Sequence, residues 1–155
     1  MGTLLGIFIA PAKTAELQNV PEVRAVPGSG LEGDRYFRGE GTFTKPGNAS
    51  NEVTLIEEES LAALERDYSI VLTPAETRRN LLTRGIALNH LVGRDFQIGE
   101  VTLRGIRLCE PCGHLEKLTQ EDVEKGLRHR GGLRAQVMTE GRLRAGDEIR
   151  TGLEA

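Results

Sequence analysis

The sequence predicts a mainly β protein, a barrel-like core of short strands with two or three helices set around it. Three observations carry this. Glycine supplies 19 of 155 residues, well above the roughly 7% of ordinary domains, and glycines between short apolar runs mark turns that join strands. Apolar residues make up 38% of the chain with no tryptophan, so the core must rest on Val, Ile and Leu. Between Phe96 and Leu108 the pattern has a strand's period of two: Val101 and Leu103 alternate with polar neighbours, then the parity flips after Gly105 to Ile106 and Leu108. A bulge at Gly105 accounts for the flip and re-aims the strand end that leads to Cys109. The length suits one domain over residues 1–155 with one sizeable core.

In chain order, Leu4 to Ala10 is a first strand stopped by Pro11. A glycine-rich stretch from Pro27 to Phe37 leads into a polar loop from Arg38 to Asn51, whose Gly, Thr and Asn content permits motion. Val53 to Ile56 is a short strand. Glu57 to Asp67 is helical, with acids in its first turn and Leu61 and Leu64 on a face with Tyr68. Thr73-Pro74-Ala75-Glu76 places Pro at the first helical position and Glu where it closes a capping box. Thr119 to Asp122 starts another capped helix, ended by Gly131-Gly132. Leu133 to Met138 and Arg142 to Arg150 are closing strands. No repeat, low-complexity segment or linker interrupts this order.

Charge and motifs narrow the function. The net charge of −3 argues against a protein built to grip nucleic acid. Its cations are 16 Arg and 4 Lys, and Arg presents a planar fork suited to phosphate and carboxylate. Arginine-favouring codon usage explains such a bias as a whole, so position decides. Arg35 follows a Gly33-Asp34 turn that would expose its guanidinium, Arg78-Arg79-Asn80 ends a short helix where Asn80 could bond a polar ligand, and Arg128 to Arg134 surrounds a Gly-Gly turn. Together with a thiol loop they suggest a pocket for an anionic cofactor attached through sulfur. Gly28 to Gly33 is not a dinucleotide fingerprint, since no helix directly follows. The phosphate loop, HExxH and GxSxG are absent from the sequence. The apolar N-terminus reads as a strand rather than a signal peptide, and no apolar run approaches the ~20 residues of a membrane span. The cytoplasm is the expected compartment, where the two cysteines stay reduced.

Both cysteines fall in Cys109-Glu110-Pro111-Cys112, two positions before His114. Thiolates bind soft metals and carry sulfur, and nearby positive charge makes them stronger nucleophiles. A redox CxxC belongs at the start of a helix; this one follows a strand, and Pro111 with Gly113 suggest a loop. Zinc held by Cys109, Cys112 and His114 is a second reading, with His90 or His129 as a fourth ligand, because a structural tetrahedral site needs four. Two ordinary small residues in a loop is a third.

Seven segments in order resemble the MOSC domain family, named for the C-terminal domain of molybdenum cofactor sulfurase. They are Pro11-Ala12-Lys13, Gly30 to Tyr36, Val53 to Glu57, Arg78-Arg79-Asn80, Leu91 to Gly99, Cys109 to Cys112, and Gly141 to Asp147. The resemblance implies a β-barrel-like fold that binds a molybdenum–pyranopterin cofactor (molybdopterin). By that resemblance Cys112 is the catalytic residue and molybdenum ligand or sulfur carrier, and Cys109 tunes the site, resolves a persulfide, or packs. Asp34, Arg35, Arg78, Asn80 and Lys13 fall on elements linked in the family to cofactor binding. A dithiolene-bound metal completed by a protein thiolate is a soft, electron-rich centre, and arginines suit the pterin's phosphate. The sulfurase's pyridoxal-phosphate domain is missing here, so an electron-donor protein or a cysteine desulfurase is the implied partner, beside a small-molecule substrate and with no nucleic acid or membrane. The leading expectation is an oxidoreductase that reduces N-hydroxylated small molecules. The alternatives are a sulfur carrier or cofactor-handling protein with a Cys112 persulfide, and a non-catalytic binding module.

Overall fold

A computed structural model describes residues 2–12, 14–37, 52–111 and 113–152, without the side chains of residues 113 and 114. Lys13, Cys112 and the polar loop from Arg38 to Asn51 therefore lie outside the described residues. The chain runs β1 (Gly2–Ile9), β2 (Gln18–Val20), β3 (Glu22–Val26), β4 (Gly30–Leu31), β5 (Val53–Glu57), α1 (Glu58–Tyr68), β6 (Leu81–Arg84), β7 (Asp95–Ile98), β8 (Val101–Leu108), α2 (Gly113–Leu118), α3 (Val123–Gly126), β9 (Leu133–Val137), β10 (Gly141–Arg144) and β11 (Glu148–Arg150). Single 3₁₀ turns at Ala75–Thr77 and Leu88–Leu91 precede β6 and β7.

Seven strands close a barrel in the order β11-β7-β8-β9-β5-β6-β1, with β1 returning to β11 and β2 added beyond β1. Neighbours are antiparallel except β5 and β6. That parallel pair requires a crossover, and α1 is part of it. At the seam Gly2 lies opposite Ile149, and Leu4 exchanges backbone hydrogen bonds of 2.8 and 2.7 Å with Asp147 and Gly146. β10, β3 and β4 form a separate small sheet. Among the described residues no helix is long and apolar enough to cross a membrane.

Side-chain parity explains the core. In β1 a register irregularity between Leu4 and Gly6 lets Leu4 and Ile7, three apart, both join the barrel cluster with Leu55, Phe96, Leu103 and Leu133. Phe8 then faces outward, onto Ile56, Leu82 and Leu17. The bulge expected in β8 is present, between Gly105 and Arg107. Gly105 also gives room for the 3₁₀ turn that packs Leu88 and Leu91 into the barrel cluster, since a Cβ there would sit 2.1 Å from the Leu91 carbonyl oxygen.

Three elements differ from the sequence reading. The helix expected from Thr119 to Gly131 shrinks to α3. The Thr119 hydroxyl turns back to the Leu115 carbonyl at 2.7 Å, and Asp122 adopts a left-handed φ of 71° instead of capping. The loop expected around Pro111 and Gly113 is present from Cys109 to Pro111 but does not continue, because α2 begins at Gly113 and buries Leu115 with Leu64 and Val123. The stretch from Arg142 to Arg150 divides at Ala145–Asp147 into β10 and β11, which join different sheets.

Candidate functional site

The Gly33-Asp34-Arg35 turn does not expose its guanidinium. Arg35 is 3% exposed: it meets the Asp34 carboxylate at 3.2 Å, the Tyr36 hydroxyl at 3.4 Å and the Arg78 carbonyl at 2.8 Å. Its guanidinium carbon stands 4.3 Å from the Tyr36 ring centroid, a cation–π contact. Asp34 accepts the Ala10 N–H at 3.0 Å and the Tyr36 N–H at 3.3 Å. The turn thus fastens the end of β1 to the segment that carries Arg78.

That segment begins with the expected capping box. The Thr73 N–H and hydroxyl reach Glu76 at 2.8 and 2.9 Å, and the Glu76 N–H returns to the Thr73 hydroxyl. After the 3₁₀ turn, Arg78 has a left-handed φ of 64°, uncommon for a side chain with a Cβ. Its Nη1 donates to the Ala15 carbonyl. The half-buried guanidinium has its pKa lowered, first by burial and then by the neighbouring Arg35 charge, with Tyr36 and Asp34 acting the other way. An anion set against it would relieve both penalties.

Asn80 is wholly buried and bonded to protein. Its Oδ1 accepts the Thr54 N–H and hydroxyl at 3.0 and 3.1 Å, and Nδ2 donates to the Phe8 carbonyl at 3.0 Å. It ties β1, β5 and β6 together where the chain enters β6. Between these two residues lies one that the sequence reading missed. Arg79 is 8% exposed, and it donates to the carbonyls of Gly131 at 2.8 Å, Cys109 at 3.0 Å and Thr77 at 3.3 Å. Nothing in a run of three polar residues distinguishes the buried arginine from the half-exposed one.

Cys109 is buried, and its N–H donates to the Gly132 carbonyl at 2.7 Å. The cysteine turn lies flat on Gly131, where a Cβ would come within 2.6 Å of the Cys109 carbonyl oxygen and 2.7 Å of Pro111 Cδ. Glu110, next in the turn, accepts the His129 N–H at 2.7 Å and faces His129 Nδ1 at 2.9 Å. His129 itself has a left-handed φ of 63°. Among the described residues no group of three or more His, Cys, Asp or Glu side chains could hold a metal ion. The zinc reading turns on Cys112 and the His114 side chain, which are not described.

A cleft of about 450 Å³ opens beside Arg78, between Thr14–Leu17, the capping box and the end of α2 at Leu118 and Thr119. Of the sequence-predicted residues that are described, Arg78 lines it, while Asp34, Arg35, Asn80 and Cys109 are buried and do not. A hollow of about 490 Å³ outside β7 and β8, edged by Asp95, Gln97, Thr102 and Arg150, contains none of them.

The family model of the MOSC domain matches residues 42–150. The structure is similar to the YUAD protein from Bacillus subtilis, with a TM-score of 0.81 at 18% identity over 96% of this chain and 94% of that one. It is also similar to YiiM from Geobacillus stearothermophilus, with a TM-score of 0.75 at 15% identity over 97% of this chain and 75% of that one. YiiM from Escherichia coli gives 0.72 at 18% identity over 100% and 71%. These likenesses are of fold. None of the curated proteins matches the sequence.

Proposed function

The chain belongs to the MOSC domain family, and on that premise we propose that it binds a molybdenum–pyranopterin cofactor and reduces N-hydroxylated small molecules. The observation that carries the reading is Arg78, a half-buried cation on the wall of a cleft, with Arg35 behind it and the cysteine turn tied to its own segment. This donor set fits the group: a guanidinium whose charge is penalised gains from a phosphate, and a thiol suits a soft metal.

Arg78 would hold the cofactor's phosphate and Cys112 would ligate its metal. Asp34, Arg35 and Asn80 act one layer back, fixing the Arg78 backbone and the strands beneath it. Lys13 adjoins Thr14 on the cleft's edge in sequence and is a further candidate for the anionic end. When bound, the cofactor supplies two-electron redox chemistry; the protein supplies orientation and electrostatics. Electrons come from a separate donor protein, and the work belongs in the cytoplasm, where thiols stay reduced.

Elemental analysis of protein purified from a host that makes the cofactor, beside Cys112→Ser, tests the reading. Near-stoichiometric molybdenum in the wild type and its loss with turnover in the variant are expected. Turnover retained by Cys112→Ser would overturn the assignment. Molybdenum absent from both, with a reducible sulfur adduct on Cys112, would replace it with sulfur carriage. Zinc in molybdenum's place would return attention to Cys109, Cys112 and His114.

A further inference from the structure

The bulge in β8 decides which residue faces β9. Gly105 lies opposite Ala135 and the next pair is Arg107 with Arg134, so Ile106 is the extra residue. An unbroken ladder would set Ile106 opposite Arg134 and turn Arg107 toward the barrel interior beside Leu133. With the bulge, Leu133 and Ala135 point into the barrel, Arg134 stands on the outer wall, and the exposed Arg107 lies directly across from it. Directly opposed residues of antiparallel strands have Cβ atoms about 4.5–5.5 Å apart, and like charges there are destabilising. Elsewhere the same molecule neutralises such a pair from within. Arg24 and Arg142 are also directly opposed, and Glu32, Glu140 and Glu22 pair with them. Arg104, the previous exposed residue of β8, lies opposite Gln136 and is paired with Asp95. Among the described residues no carboxylate pairs with Arg107.

We propose that Arg107 and Arg134 form an oxyanion-binding pair beside the cysteine turn, which holds the phosphate or carboxylate of the N-hydroxylated substrate. The substrate part of this rests on the reaction proposed above. Bulges re-aim side chains next to sites, and two guanidinium forks match the oxygens of either anion, whose charge offsets the repulsion between them. Position joins the pair to the site. Arg107 is two residues before Cys109, and Arg134 is two after Gly132, whose carbonyl accepts the Cys109 N–H. On its other side Arg134 lies opposite Thr54, which is hydrogen-bonded to Asn80, two residues after Arg78. The outer wall thus leads from the Arg78 segment across Arg134 and Arg107 to the strand that enters the cysteine turn. Glu110, the carboxylate nearest to Arg107 in sequence, is engaged by His129. Arg78 then serves the cofactor's phosphate, and the opposed pair serves a second anion.

The test follows the arginine Nε–H resonances of the isotope-labelled full chain by NMR as inorganic phosphate or acetate is added, against sodium chloride at matched ionic strength. Saturable shifts at Arg107 and Arg134 with one shared midpoint are expected for at least one of the two anions, and none for chloride. The anion that acts identifies the group the substrate carries. Arg107→Gln should remove the shift at Arg134, whereas Arg84→Gln, an exposed arginine ending β6, should leave it in place. No saturable shift at the pair with either anion, or a shift at Arg134 that survives Arg107→Gln, overturns the anion site. In the molybdenum-loaded protein, Arg107→Gln should raise KM about tenfold for an N-hydroxylated amidine that bears this anion, the worth of one charge-assisted hydrogen bond. Its kcat, and both constants of the uncharged analogue, should stay unchanged. An equal change for the two analogues, or none, overturns the substrate role. A protein without turnover fails the proposed reaction and the substrate role with it, while the resonance shifts still decide the anion pair.

Discussion

At Gly105 one methyl group separates a closed barrel from a strained one. The expected Cβ would stand 2.1 Å from the Leu91 carbonyl oxygen, a backbone atom that cannot rotate away. Gly105→Ala should cost about 1–3 kcal/mol, the usual range for overpacking, measured as a lower urea midpoint with the slope unchanged. The sequence announced this glycine through the parity flip, but its reason is the approach of a turn some fourteen residues earlier, which no local pattern records. Asp34 makes a different case. Its carboxylate and the Arg35 guanidinium are both buried, so Asp34→Ala leaves a buried cation uncompensated and should cost about 3–5 kcal/mol, again read from urea unfolding. Sequence order located this pair and misjudged its exposure, since the Tyr36 ring and the Arg78 carbonyl that cover Arg35 are supplied by the fold. Arg79 was missed on the same ground, for burial is the property that distinguishes it from Arg78.

Two carboxylates bracket strand β5. Glu52, just before it, is buried and accepts the Val137 N–H at 2.9 Å; Glu57, its last residue, accepts the Leu88 N–H at 3.1 Å. Burial raises the pKa of both, against the pull of those backbone hydrogen bonds. For a carboxyl raised in the folded state, the native protein binds more protons than the unfolded chain between the ordinary glutamate value and the folded one. Stability contributed by these groups is therefore present at low pH and is lost as pH rises through that window. Glu52→Gln should be more stable relative to wild type at pH 7 than at pH 4, a difference that urea titrations at the two values would detect. The elements that sequence patterning found are those with strong periodicity or a cap, namely β1, β5, α1, β8 and β9. It passed over β2, with two of its three residues exposed, and β6, whose first three residues are all buried, so neither has a clean alternation; β3 does alternate over Glu22–Val26, but it is only five residues long and lies between Pro21 and Pro27. α2 was lost to Pro111 and Gly113, because Leu115 earns its place through contacts with α1 and α3 rather than through local propensity.

The whole molecule depends on a short seam. β1 meets β11 through two residue pairs and the hydrogen bonds between Leu4 and the turn before β11. Truncation after Ala145 should leave the barrel open, with the Ile98 and Leu4 side chains exposed, and should abolish the cooperative unfolding transition seen by circular dichroism. A cooperative transition in the truncated chain would show that the seam is dispensable. Composition and turn density made the class of fold legible, and seven ordered segments made the family legible. The strand order was not, because it depends on pairings between residues far apart in the chain, as when Gly2 lies opposite Ile149. The same pairing bears on how the protein is made. A growing chain emerges first residue first, so the start of β1, at Gly2 and Thr3, must wait with one edge unpaired until β11 has left the ribosome, while β2 covers the other half of that edge. During that interval an exposed edge invites pairing with another chain, and the barrel can close only once β11 has been made.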